Sequence, residues 1–468
     1  MIICLLLLLF IIMPVISADA HQRAKYNVVI DTDCGGDDFR ALTYFMASRD
    51  FNINAVQSVG GVLDAETSTQ CLASLLCELH HEGIMLGKGI NAKSYKKNCQ
   101  QAVDFWRNRM VVSMNPHVDA VSKAISSSGK PTIYVAMGPL TNLAELIGKH
   151  PDITSKVSYV LWTSRTIDGR PNGYNYQMDK PAYEKVVASG LKIKVLDAGE
   201  IFYPDDFLSL LSEISTPYAR IFTKYNEGQA FSSVRFCDDL LPFYVLYPEL
   251  FNEIATEKNM SVVTPKPNSY FDVIATRILN STETEKGVII TSFPQNSSML
   301  SADVAPIVEQ IIQKYGYMEY KLVLITSEMH SHLGIYSIIG AKMGFRVLEY
   351  LHVGLDELSI VSNAGTEPPL SCLNDGLQIG AGTTLGYGSI EVMADADASL
   401  SIIVNYNGRR LFFKLKDDVR REISTDVMAL VRKYGLESDV YWSELRSLAI
   451  EKYWVGKSRF EIFDIEEQ

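Results

Sequence analysis

The sequence predicts an α/β protein: a doubly wound, mainly parallel sheet followed by a smaller α+β domain. Three observations predict it. Apolar strand-like runs alternate with helical segments through the first part of the chain. A glycine-containing acidic turn, Asp31-Thr32-Asp33-Cys34-Gly35-Gly36-Asp37-Asp38, directly follows the apolar run Val28-Val29-Ile30. Beyond residue 380 the pattern changes to a Gly-rich stretch and then to short alternating strands.

The elements follow in order. Tyr26–Ile30 reads as a strand, Asp38–Ser48 as a helix, Ile53–Val59 as a second strand and Thr67–Leu79 as a helix. Pro131–Ala136 and Val157–Thr163 are further apolar runs, with Leu191–Leu196 closing the series. The segment from Asn280 to Ser301 is polar and reads as a surface excursion, and Ser301–Tyr315 reads as the last helix of the first domain. A second unit is expected to open with Tyr320–Thr326 as its first strand, followed by an apolar helix, Ile335–Leu351. Its later strands are Ser389–Met393, Leu400–Tyr406 and Arg410–Leu415, with helices at Asp418–Tyr434 and Trp442–Glu451. The expected domains are 21–315 and 316–468, with no internal repeat.

With 468 residues the length prior is about two to three domains. A hydrophobic content of 47% and a charged content of 21% are those of an ordinary globular chain. The net charge of -12 and the absence of a basic stripe argue against nucleic acid as a partner. Residues 1–20 are an apolar Leu/Ile run ending in Ser17-Ala18-Asp19-Ala20 and read as a secretory signal peptide. The run is short for a spanning helix, so export to a periplasm or outside the cell is expected rather than a stable membrane anchor. The seven cysteines are widely spread and form no disulfide framework. Cys71 and Cys77 fall in a helical apolar pattern and read as core residues.

Four carboxylates within eight residues, on a turn between a strand and a helix, suggest a hard-cation site. It would lie at the carboxyl end of a strand, where open α/β sheets bind ligands. The plain alternative is a solvated turn whose aspartates cap the helix.

Four motifs in order decide between them. Asp31 to Asp38 resembles the Asp-Thr-Asp-Pro-Gly-x-Asp-Asp opening of the nucleoside hydrolases (inosine-uridine-preferring type), with Cys34 for the usual Pro. Gly138-Pro139-Leu140-Thr141-Asn142-Leu143-Ala144, Tyr174-Asn175-Tyr176-Gln177-Met178-Asp179, and Cys237-Asp238-Asp239-Leu240 ahead of Pro248-Glu249-Leu250-Phe251 are similar to that family's later segments. The resemblance implies hydrolysis of the N-glycosidic bond of ribonucleosides, or of a related N-glycoside, with Ca²⁺ as cofactor and a homo-oligomer as the assembly. It implies Ca²⁺ ligands at Asp33, Asp38, Asp238 and the Met137 carbonyl, and ribose contacts at Asp37 and Asn175. Asp238 would border the substrate too. Asp33 would also take a proton from a water on the metal, and Cys237 stands where a His is proposed to help the leaving base. The transition state would be oxocarbenium-like.

Structural roles remain open for several of these residues. Asp31 reads as a brace of the loop, Asn142 as a helix cap or a loop brace, Asp179 as the cap of a helix Lys180–Ser189, and spacing to Pro248 favours Asp238 over Asp239. The chain also departs from the family pattern. Gly60-Gly61 stands for Gly-Asn, Gly173 for a ribose-facing Glu, Cys237 for His, and Trp162-Thr163-Ser164 for Met-Gly-Gly. Asn172 could replace a lost sugar contact or form a plain turn. A non-catalytic, Ca²⁺-stabilised nucleoside- or sugar-binding protein is therefore the competing class.

Met329-His330-Ser331-His332-Leu333, Cys372-Leu373-Asn374-Asp375-Gly376-Leu377-Gln378 and Gly382-Thr383-Thr384-Leu385-Gly386 together resemble the FmdE family of formylmethanofuran dehydrogenase proteins over about residues 326–415. This implies Zn²⁺ or another transition metal at His330, His332 and Cys372, and with it a second metal-dependent activity; the alternative is a degenerate fold kept for assembly or substrate capture. Gly334 and Thr383 stand in place of two family cysteines.

Overall fold

Along the first strand, Val28 and Ile30 pack into one hydrophobic layer while Val29 packs into the other. Alternation of this kind buries both faces of a parallel strand. The computed structural model describes residues 26–95, 104–106, 114–117, 119–257, 259–267, 269–280, 293–295, 297–354, 357–393 and 399–468. The expected signal peptide and most of the polar excursion after Asn280 lie outside these residues.

The first sheet is formed by β1 (Tyr26–Thr32), β2 (Phe51–Gly60), β3 (Met85–Asn91), β4 (Thr132–Ala136), β5 (Val157–Thr163), β8 (Ile193–Leu196), β9 (Phe251–Glu257) and β10 (Met260–Pro265). A small hairpin, β6 (Thr166–Ile167) and β7 (Arg170–Pro171), follows β5. The strand order is β3-β2-β1-β4-β5-β8-β10-β9, and all neighbours are parallel except the β10–β9 hairpin. Helices Gly36–Ala47 and Ala65–Glu78 fill one face, and Ala120–Ser127, Thr141–Lys149 and Lys180–Ala188 the other. The doubly wound expectation matches this sheet. Leu191–Leu196 does not close the series, because β10 and β9 extend the sheet past β8.

The second sheet orders β11 (Ser359–Ser362), β12 (Ile390–Val392), β13 (Ser401–Tyr406), β14 (Arg409–Leu415) and β15 (Phe463–Glu467) as β12-β11-β13-β14-β15. It is antiparallel apart from the β11–β12 pair. Tyr320–Thr326 is not a strand. It lies inside the helix Tyr317–Met329, which packs Tyr320 and Val323 into the second core. The helix Val308–Tyr315 also packs there, through Val308, Ile311 and Tyr315, rather than ending the first domain. Among the described residues, no helix is long and apolar enough to cross a membrane.

The two units meet at the amino ends of the first sheet's strands. His352 Nε2 bonds the Met46 carbonyl at 2.8 Å, just before β2, and the Tyr406 hydroxyl donates to Asn54 Oδ1 at 2.8 Å, within it. Arg346 bonds the His80 carbonyl at 2.6 Å and Glu82 at 2.8 Å, just before β3. The acidic turn lies at the opposite, carboxyl end of β1.

Candidate functional site

The turn after β1 is built by backbone and hydroxyl bonds before any carboxylate is free to act. Cys34 adopts φ +61°, a conformation closed to proline. Its amide donates to Thr32 Oγ1 at 3.1 Å, its carbonyl accepts from Trp106 Nε1 at 3.1 Å, and its thiol is buried against the Ser68 carbonyl. The helix then begins at Gly36, so Asp37 and Asp38 stand in its first turn, where the helix dipole favours negative charge. The Thr32 hydroxyl donates to Asp38 Oδ1. Asp33 turns back towards the loop after β2, where Asp33 Oδ2 accepts from the Val62 amide at 2.8 Å.

Oxygens of Asp37, Asp38 and Asp238 lie within 4.8 Å of one another, and Asp33 adjoins Asp38. The expected ligands Asp33, Asp38 and Asp238 are thus brought together, and Asp37 joins them as a member of the trio. The Met137 carbonyl accepts the Asn175 amide nitrogen at 2.7 Å, and that nitrogen also donates to the Thr163 carbonyl at 3.2 Å. Asp31 lies apart from the trio. It accepts from Asn142 Nδ2 at 2.8 Å and from the Tyr134 hydroxyl at 2.9 Å, so both it and Asn142 brace the loop. Asp179 caps its helix by accepting the Ala182 amide at 3.2 Å.

The electrostatics of the cluster are unfavourable as it stands. Burial, then repulsion from Asp38, raises Asp33 well above the usual carboxylate range, and the same two causes raise Asp238. Burial and Asp37 push Asp38 up to about 7. Among the described residues, none of the four carboxylates has an ion-pair partner. The nearby buried guanidinium, Arg40, binds Asp239 instead, with Nε 2.8 Å from Oδ1. Three buried carboxylates and one half-buried one, none of them in an ion pair and all offering only hard oxygen donors, fit a hard divalent cation.

Residues 28–296 match the model of the inosine-uridine preferring nucleoside hydrolases. The chain belongs to this family. It is therefore a hydrolase acting on N-glycosyl compounds. It is 24% identical over 248 residues to the non-specific ribonucleoside hydrolase RihC of Klebsiella pneumoniae, covering 48% of this chain and 81% of the relative. Identity to RihC of Salmonella paratyphi B is 24% over 251 residues, covering 49% and 81%. A plant nucleoside hydrolase structure superposes with a TM-score of 0.48 at 16% identity, over 55% of this chain and 99% of the plant chain. A purine-preferring ribonucleoside hydrolase from Gardnerella vaginalis gives 0.47 at 16%, over 55% and 98%. Residues 329–455 match the FmdE family of the molybdenum formylmethanofuran dehydrogenase operon.

The hydrolase has rebuilt the rest of its site around its departures. A Cβ at Gly61 would stand 2.1 Å from Asp33 Oδ2 and 2.9 Å from Pro139 Cδ. A Cβ at Gly173 would stand 2.6 Å from the Arg165 nitrogen. Neither backbone position, as folded, has room for a sugar-binding side chain. Asn172 forms a local contact, with its Oδ1 accepting from Gln177 Nε2 at 2.7 Å. The Cys237 thiol accepts from Arg235 Nε at 3.3 Å, and burial followed by Asp37 pushes it up to about 11.

At the expected second site the His330 and His332 rings lie 4.3 Å apart, and His330 Nε2 is buried without a hydrogen-bond partner among the described residues. Among the described residues, the acidic trio is the one group of three or more His, Cys, Asp or Glu side chains whose ligand atoms converge. His330 Nδ1 is taken by Asp375 Oδ2 at 2.6 Å, His332 Nδ1 faces the His330 carbonyl at 3.2 Å, and Cys372 joins neither. Gly334 and the buried Thr383 stand where the resembled family has cysteines, so the chain offers fewer soft ligands there.

Sequence reasoning missed Arg40, Arg165, Glu200, Tyr203 and Arg235 around the site. They are isolated positions with no motif spacing, and only the fold gathers them.

Proposed function

We propose that this chain hydrolyses the N-glycosidic bond of ribonucleosides in a Ca²⁺-dependent reaction. The carrying observation is the gathering of buried Asp33, Asp38 and Asp238 with half-buried Asp37 at the carboxyl end of the sheet, with no ion pair to any of the four among the described residues. Asp38, Asp238, Asp33 and the Met137 carbonyl would hold the cation, with Asp37 shared between cation and sugar. When bound, Ca²⁺ orients a water and lowers its pKa.

The chain's own residues carry the remaining steps. Asp33 accepts the water proton as the water oxygen bonds C1′ and the C1′–N bond breaks. The leaving base takes its proton from solvent, to which Asp33 later returns the one it accepted. Asp37 and Asn175 bind ribose hydroxyls; the Asn175 nitrogen is held by two carbonyls, so its Oδ1 is the atom suited to a hydroxyl. The surrounding carboxylates stabilise positive charge developing on an oxocarbenium-like sugar. The apolar segment 1–20 supports an exported protein, and we take a homo-oligomer as the working assembly.

Ribose release from purine and pyrimidine ribonucleosides tests this, comparing the wild-type chain with Asp33→Ala, with Ca²⁺ and after chelation. Release that needs both Ca²⁺ and Asp33 is expected. Absence of release from every nucleoside while Ca²⁺ is bound would sink the catalytic reading in favour of a binding protein. A second metal-dependent activity at His330, His332 and Cys372 is the alternative reading, and metal binding by Zn²⁺ titration of the wild-type chain against His330→Ala tests it.

A further inference from the structure

Two arginines converge on one exposed carboxylate at the rim of this site. Arg165 Nη2 lies 2.6 Å from Glu200 Oε1, and Arg235 Nη1 lies 3.5 Å from the same oxygen. Arg165 follows β5 by two residues, and Arg235 precedes Cys237 by two, so both stand at the carboxyl end of the sheet beside the acidic trio. Arg235 reaches the trio's edge directly, since its Nε bonds the Cys237 thiol and Asp37 acts on both residues.

The backbones that carry these arginines are fixed while their side chains stay accessible. A short ladder joins 201–203 to 234–236, with Phe236 N to Ile201 O at 2.8 Å and Tyr203 N to Val234 O at 3.0 Å. Arg40, held by Asp239, donates to the Arg235 carbonyl at 3.3 Å. The Arg165 carbonyl accepts the Asn172 amide at 2.7 Å, and Gly173 packs against the Arg165 nitrogen. The Arg165 and Arg235 side chains are 44% and 33% exposed, and that of Glu200 is 69% exposed.

Guanidinium groups at the rim oppose a cation, and an uncharged nucleoside offers them only neutral acceptors. They suit an oxyanion, which a guanidinium can bind with two parallel hydrogen bonds. Glu200 is a poor permanent partner, because so exposed a pair is screened by water and easily exchanged. We propose that Arg165 and Arg235 bind an oxyanion carried by the N-ribosyl substrate, a phosphate or a carboxylate, and that Glu200 occupies their pair until it arrives. This rests on the hydrolase reading and names the substrate class of the same site.

The experiment compares uridine, uridine 5′-monophosphate (oxyanion on the sugar) and orotidine (oxyanion on the base) as substrates of the purified chain. The readout is the ratio of kcat/KM for each charged substrate to that for uridine. We expect a ratio of at least about tenfold for one of the two, which places the oxyanion at the sugar or the base end. Arg165→Gln should lower that ratio about tenfold, while Glu200→Gln should lower KM for the charged substrate. A merely structural role for Arg165, Arg235 and Glu200 would not shift these two variants in opposite directions. Where no substrate turns over, the same ratio is read from calorimetric Kd values on the wild-type chain, so failure of the hydrolase reading is separately visible. Ratios at or below one for both charged substrates, or a preference that survives Arg165→Gln, would overturn the proposal.

Discussion

Arg40 and Asp239 form a buried two-pronged ion pair, with Nε 2.8 Å from Oδ1 and Nη2 3.2 Å from Oδ2. The Tyr203 hydroxyl and the Cys237 amide complete the Asp239 carboxylate at 2.9 and 3.1 Å. Two adjacent acids therefore have opposite fates: Asp239 is neutralised within the protein, and Asp238 is left in the cluster. Removing one partner of a buried pair strands the other charge, at about 3–5 kcal/mol. Asp239→Ala is expected to lose that much stability in denaturant unfolding. Asp238→Asn removes a like charge from its neighbours, so the cation-free chain should become more stable while Ca²⁺ affinity measured by calorimetry collapses. Equal destabilisation by the two variants would contradict this division.

The second core depends on two helices that touch backbone to backbone. A Cβ at Gly340, in the helix Ile335–Leu351, would stand 2.1 Å from the Leu373 carbonyl. A Cβ at Gly376, in the helix Leu373–Ala381, would stand 2.1 Å from the Ser337 carbonyl. Only backbone can yield at these contacts, so one methyl pushes the helices apart. Gly376→Ala should cost about 1–3 kcal/mol or more, seen as a lower urea midpoint. Gly129→Ala, with open space around the new methyl, should stay within about 0.5 kcal/mol of wild type.

What the sequence revealed and what it concealed follow from burial. The strands β1, β2, β4 and β5 are buried on both faces, so they read as apolar runs. In β9 only Phe251 is buried, so this edge strand left no hydrophobic pattern. In β3 two glycines dilute the run Met-Leu-Gly-Lys-Gly-Ile-Asn. Lys321-Leu322-Val323-Leu324-Ile325-Thr326 has strand-like composition, yet packing against Ile335–Leu351 makes it a helix. The acids were legible because one turn holds most of them. Arg165, Glu200 and Arg235 come from three separate loops, so no local pattern could announce them.

The junction between the two units should respond to acid. His81 Nδ1 bonds the Glu349 carbonyl at 2.6 Å and its Nε2 bonds the Tyr218 hydroxyl at 3.1 Å. Its ring lies 4.8 Å from that of His352. Burial, then His352 and Arg346, holds His81 well below the usual 6.5, against the pull of the Glu349 carbonyl. Burial, aided by Arg49, lowers His352. His80 and Glu82 stand beside Arg346 at the same junction. The folded state thus binds fewer protons than the unfolded one. Its stability contribution is complete above about pH 6.5 and is lost as pH falls below it. Comparison with His81→Gln at each pH cancels the titration of the acidic cluster. The Tm advantage of wild type over His81→Gln should shrink between pH 7.5 and 5.5; an unchanged difference would show that His81 is not neutral in the fold.

Leaving-group chemistry tests what Cys237 does. Its thiol is pushed up to about 11, first by burial and then by Asp37, so it holds its proton at neutral pH and is a weak acid. A well-matched general acid contributes about 10²–10⁴ in rate, and a thiol that keeps its proton to about pH 11 is a poorly matched one. The hydrolase should therefore depend steeply on the leaving group. A nitrophenyl riboside, whose leaving group needs no proton, should be cleaved about 100-fold faster than uridine or more. Cys237→Ser should leave the uridine rate within about threefold, whereas Cys237→His should raise it and leave the nitrophenyl substrate nearly unchanged. If Cys237→Ser instead slows uridine about 100-fold and spares the nitrophenyl riboside, the thiol itself delivers the proton to the base, and Cys237 acts as the general acid despite its raised pKa.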